Sequence, residues 1–299
     1  MSHAPGRGVA TLSLLGAAFG FSTIAIFTTL LTSAGTPLIT AMLGRYVFAS
    51  VVLVPMAGGF TGMRLPRSRA LQLAGIGGLG QSIIAILSLT ALNYIPAAML
   101  VFLFYTFPAW VALRAAILRT ERLNGVRIFS LALSFAGVGV MVGLPGADAV
   151  HPLGAALALV AAIVYALFIP LIDRLRAGVS AVIATSWVAL GAIVIFTVAG
   201  VVTGQLAIPT QPMSWLWLVG LGTVSTAFAF TMFLRGLAIV GPVTTSIITT
   251  AEPFFVAILA ALVLDQPIKL QTVLGGSLIA IAVLVLSRQV SSADPMREQ

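Results

Sequence analysis

Two ionisable side chains fall deep inside apolar runs. Glu252 stands near the middle of the run Pro242 to Leu264, and Arg45 lies well inside Pro37 to Gly59. A charge at such depth in hydrocarbon costs about 2.5 to 3.5 kcal/mol on insertion scales, so each group needs a wet cavity or a partner. A carboxylate there can bind a cationic group such as an ammonium, or carry a coupling proton. It can equally form a structural pair with Arg45, or stay protonated and hydrogen-bonded. Arg45 can belong to the same substrate site or anchor packing near an outer loop. Beside Glu252 stands Pro253, and Pro108 occupies a similar place in Pro96 to Leu118. Each removes a helix hydrogen bond and favours a kink, so both are candidate hinges that free carbonyls and re-aim side chains toward a central site. Tyr105, Tyr165 and Trp187 also lie deep, where a hydroxyl or indole N–H needs a partner. With Gln81, Ser82 and Ser22 they can line a cavity for an amphipathic solute, although each alone is compatible with helix packing.

The groups for other chemistries are missing. The chain has no cysteine, its two histidines are His3 and His151 outside the apolar runs, and no HExxH, GxSxG or GxxxxGK[ST] occurs. Metal or serine hydrolysis and direct use of ATP therefore lack their usual side chains. No cofactor, metal or enzymatic activity is expected.

The elements that must hold these residues follow from composition. Of 299 residues, 60% are hydrophobic and 7% charged, whereas a soluble domain carries about 25% charged residues. The mean hydropathy is +1.15. Such a chain is read as an all-α integral membrane protein, and at about 20 residues per spanning helix it has room for about ten. Apolar runs occur at Gly8 to Leu31, Pro37 to Gly59, Ala70 to Leu92, Pro96 to Leu118, Val126 to Leu144, Pro152 to Ile172, Ser180 to Val202, Trp215 to Leu234, Pro242 to Leu264 and Leu270 to Leu286. The first run continues to Leu31, which favours a spanning helix over a cleaved leader.

A net charge of +8 would suggest nucleic acid in a soluble chain; here it orients helices instead. Alternate connections hold Arg7, Arg64, Arg67, Arg69, Arg114, Arg119, Arg122, Arg127, Arg174, Arg176, Arg235, Arg288 and Arg297, against Lys269 alone in the opposite set. Both termini are therefore expected in the cytoplasm of a multi-pass protein of the cytoplasmic (inner) membrane. Its partners are lipid and a small-molecule substrate, with no nucleic acid. Monomer and dimer stay open.

Division into 1–144 and 145–299 puts five runs in each part, and an odd number forces related parts into opposite orientations. A shift of 145 residues places Pro108 on Pro253, Val111 on Val256 and Ala112 on Ala257. Loop charge switches between the parts, since the Arg64 connection corresponds to Thr203 to Pro212, which has no basic residue. Inverted five-helix repeats of this kind are a signature of secondary transporters, in which rocking about the repeat interface gives alternating access.

The stretch Asn93 to Leu123, containing Tyr105-Thr106-Phe107-Pro108 and Thr120-Glu121-Arg122-Leu123, resembles the first conserved block of the EamA family of the drug/metabolite transporter superfamily. Gly220 to Ile268 resembles its second copy, with Arg235-Gly236-Leu237, Ala251-Glu252-Pro253 and Leu264-Asp265-Gln266; Arg45-Tyr46 also fits. The chain departs from the family where Asp265 or Gln266 replaces the usual Glu. The resemblance implies ten helices and export or exchange of small metabolites, and leans toward the YddG-type amino-acid exporters. Drugs, nucleosides or sugar derivatives are the alternative substrates, and a membrane-embedded enzyme or channel is the alternative class.

Overall fold

A computed structural model describes residues 6–95, 97–121, 123–142, 151–265, 267–268 and 270–292. His3, Pro96, Arg122, Gln266, Lys269, Arg297, the side chain of Arg7 and the division at 144 and 145 lie outside the described residues. Described residues form helices and connections with no strand: α1 (Gly6–Ser33), α2 (Leu38–Met56), α3 (Gly59–Gly62), α4 (Arg67–Gln72), α5 (Gly78–Ala91), α6 (Ala97–Phe104), α7 (Phe107–Ile117), α8 (Gly125–Val142), α9 (Pro152–Leu175), α10 (Ala181–Thr203), α11 (Pro212–Gly222), α12 (Ala229–Thr249), α13 (Glu252–Val263) and α14 (Leu270–Ser292). Helix is what an apolar chain adopts where lipid offers its backbone no partner. Large apolar side chains remain on the outside of the bundle, with Leu12, Leu71, Val202 and Leu262 all more than 70% exposed. That outer surface suits lipid, not water.

Among the described residues the apolar runs appear as seven helical stretches long and apolar enough to cross a membrane, plus three shorter apolar helices at Gly125–Val140, Glu252–Val263 and Leu270–Leu286. The difference has a local cause. Helical bonding runs from Pro212 to Thr249, joining the expected eighth run to the front half of the ninth, but Gly241 inside it has φ 75 and ψ 171. Only glycine adopts that region without strain, so the chain kinks there without a conventional loop. Two π-helical turns, Leu73–Gly77 between α4 and α5 and Thr223–Phe228 between α11 and α12, were not expected from the sequence.

Packing places α1 along α12 and against α13, while α9 lies along α5 and against α6 and α7. α2 pairs with α10, where Tyr46 stacks on Phe196 at 5.7 Å, and α8 pairs with α14. The connections also meet in sets. Arg69 donates to the carbonyls of Leu175 (3.4 Å) and Ala177 (2.5 Å). Thr40 donates to the Gln205 carbonyl at 3.0 Å and accepts from the Ala207 N–H at 3.1 Å.

Glu121 locks the Gly241 kink. Its carboxylate accepts the Val243 N–H at 3.2 Å and pairs with Arg127 at 3.2 Å, satisfying a donor that the helix restart leaves without a partner. Glu121→Ala is expected to cost about 1 kcal/mol, the usual value of a lost cap. Burial raises the Glu121 carboxyl above its ordinary 4.5; the Val243 N–H and Arg127 oppose this, and Asp173 adds to it. A raised folded-state value means the folded protein binds the proton more tightly, so this group's contribution to stability is present below pH 4.5 and is lost as pH rises through the raised value. Thermal unfolding of wild type and Glu121→Gln across that window checks this; the variant should lack that part of the pH dependence.

Candidate substrate site

The two candidate hinge prolines do not kink continuous helices. Pro108 and Pro253 are each the second residue of a restarted helix, α7 and α13, where no N–H is required. The chain tightens just before each: the Thr106 N–H bonds to Leu103, and the Thr250 and Ala251 N–H groups bond to Ile247 and Ile248, all three residues back. The Phe104 and Thr249 carbonyls, whose helical donors would be the two proline nitrogens, lose them.

The two breaks meet. Glu252 opens α13, where the helix dipole favours a carboxylate, and Tyr105 and Pro108 of the α6–α7 break line one crevice with Thr250, two residues before it. Thr250 and Ala251 are buried, whereas Glu252 is half-buried. Aromatic rings wall this point. Tyr165 on α9 stacks on Phe104 at 5.5 Å and meets Phe107 edge-on at 4.7 Å, and Tyr105 contacts both phenylalanines within 6 Å. Phe104 and Phe107 were not among the sequence candidates, although they flank Tyr105 in the same run. A crevice of about 220 Å³ adjoins, lined by Tyr105, Pro108, Leu131, Ser134, Phe135 and Thr250 among others.

Arg45 forms a second cluster. Only 7% exposed, it donates through Nε to the Thr226 hydroxyl at 2.6 Å and lies 5.2 Å over the Tyr46 ring. The Thr226 hydroxyl itself donates to the Leu221 carbonyl at 3.0 Å, and Thr226 lies in the π turn. The structural pair of Arg45 with Glu252 is not formed. The described ion pairs are Glu121 with Arg127 and Asp173 with Arg176.

The remaining candidates divide. Gln81 lines a small void at Arg45. Ser82 is fully buried, and its hydroxyl has no partner among the described residues. Ser22 bonds to its own helix, at the Phe19 carbonyl, 2.5 Å away. Trp187 donates its indole N–H to the Met63 carbonyl at 3.2 Å, which ties it to the connection after α3 instead of the Glu252 cluster. Among the described residues no group of three or more His, Asp or Glu could hold a metal ion.

The candidate residues thus comprise one carboxylate, one guanidinium and an aromatic wall. An uncharacterised transporter of Archaeoglobus fulgidus is 32% identical over 76 residues, which is 25% of this chain and 28% of that protein, so the match spans under a third of the relative. A protein of known crystal structure shares the fold with a TM-score of 0.79 at 21% identity, covering 95% of this chain and 99% of its own. The EamA-like transporter family matches residues 8–143 and again 152–288. With both halves matched, the chain belongs to the EamA-like transporter family of the drug/metabolite transporter superfamily.

Proposed function

We propose that this protein exports amino acids across the cytoplasmic membrane by alternating access, through ten membrane crossings arranged as two inverted five-helix repeats, 1–144 and 145–299. The observation that carries the reading is the meeting of the two helix breaks, where Tyr105 and Pro108 share a crevice with Thr250, two residues before Glu252. A half-buried carboxylate at the start of a restarted helix, beside carbonyls freed by proline, is what a mid-membrane site for an ammonium requires.

The repeat reading rests on correspondences between the halves. Each half has a π turn ahead of its broken helix, and exchanging the halves carries α1 on α12 into α9 on α5, and α2 on α10 and α8 on α14 into themselves. Cytoplasmic termini are supported by the joining of the basic segment at Arg69 to the one at Arg174 and Arg176, while uncharged Thr40 joins uncharged Gln205 to Ala207. The residues from Val243 to Ala251 are all buried, whereas Glu252 to Leu259 are mostly half-exposed; in this topology the site opens toward the outer side.

Purified protein in liposomes, assayed with labelled amino acids, tests the reading. Saturable uptake is expected. Transport of a nucleoside, sugar derivative or drug cation in place of any amino acid overturns the substrate, and flux that never saturates overturns alternating access in favour of a channel.

A further inference from the structure

Arg45 is a buried cation with no ion-pair partner among the described residues. Its sole hydrogen bond, through Nε, goes to a neutral hydroxyl, and among the described residues its two terminal amino groups make none. Burying a charge without an opposite charge is what membrane interiors avoid. A packing anchor would have its guanidinium fully bonded; this one lines a void of about 10 Å³, shared with Tyr46, Gln81, Thr185, Thr226 and Phe230. That is room for one water-sized atom. Two of these residues carry donors suited to an anion, Gln81 and Tyr46, and the Tyr46 hydroxyl is buried with no partner among the described residues.

Among the described residues Glu252, the other ionisable group set deep in an apolar run, forms no ion pair with it. Two charges of opposite sign that do not pair with each other are both satisfied by a molecule that carries both signs. Resting on the amino-acid reading above, we propose that Arg45 is the anion subsite of the transport site: a carboxylate oxygen of the substrate enters the void against the guanidinium while its ammonium meets Glu252. Arg45 is then a specificity-determining residue, which separates zwitterions from cations that carry the same side chain.

Leucine and leucinamide, compared at a pH where both amines are charged, test this in proteoliposomes containing the intact protein. Wild type is expected to favour leucine by about 10- to 100-fold, the worth of a hydrogen bond to a charged group. Arg45→Gln should erase that preference through a rise in the KM for leucine, with leucinamide little changed, and Arg45→Lys should restore part of it. Equal handling of the two probes by wild type, or an equal loss of both in Arg45→Gln, overturns the subsite and leaves the transport reading standing. If wild type moves neither, the amino-acid reading fails. The subsite then stands only if acetate stabilises wild type against heat and does not stabilise Arg45→Gln or Arg45→Lys equally; no stabilisation overturns it. The leucine preference of wild type needs no variant, so a misfolded substitution cannot shield the proposal.

Discussion

Glu252→Gln is expected to leave the protein folded and to weaken saturable amino-acid uptake about 10- to 100-fold, mainly through affinity. Glutamine has nearly the same shape, so the crevice shared by the two helix breaks survives. What disappears is the negative charge at the start of α13. A bound ammonium would then face an amide dipole inside a low-dielectric bundle, and a charge-assisted hydrogen bond becomes a weaker neutral one. Glu252→Ala should do more damage, because it removes the acceptor oxygens along with the charge. Uptake curves across pH separate the two roles of the carboxylate. Loss of affinity with the pH profile retained marks a binding group; flattening of the profile marks a carried proton. Affinity, rate and pH dependence all unchanged in Glu252→Gln would remove this residue from the mechanism.

The apolar runs were legible because lipid exposure forces long apolar helices, and the unusual depth of Glu252 and Arg45 was legible because charges are so scarce. Their surroundings were not. Proline inside a run reports a missing N–H, but whether the helix bends or tightens and restarts depends on what packs against the preceding turn, as at Thr106 and Thr250. The π turn at Thr223–Phe228 adds a residue to a helix without changing composition, so nothing in the sequence placed Thr226 opposite Arg45, 181 positions away. Trp187 shows the converse. A deep indole needs an acceptor, but sequence does not say whether that acceptor is a cavity water or the Met63 carbonyl it finds. Glu121 belonged to a quoted motif, yet its role as the cap of Val243 requires knowing that Gly241 interrupts the helix.

Gly191→Ala is expected to lower stability by about 1 to 3 kcal/mol, within the range for overpacked interiors. A Cβ at Gly191 would lie 1.8 Å from the Ala74 carbonyl oxygen, and one at Gly78 would lie 2.6 Å from the Gly191 carbonyl carbon. The neighbours are backbone, which cannot rotate aside, so α10 must move away from the π turn at Leu73–Gly77. Small residues of this kind let membrane helices approach closely enough to gain van der Waals contact, which is the main attraction left when lipid is as apolar as the side chains. Gly75 supplies the control. It lies in the same π turn with nothing within 4 Å of an added Cβ, so Gly75→Ala should be neutral or stabilise by up to about 1 kcal/mol as helical backbone freedom falls. Thermal unfolding in detergent compares the two, and equal melting temperatures would show that the contact between α10 and the π turn contributes nothing. The same displacement reaches the site. Thr185, Val188 and Ala189 of α10 and Gln81 of α5 line the Arg45 void, so Gly191→Ala should also weaken leucine uptake in the fraction that stays folded, while Gly75→Ala leaves it near wild type.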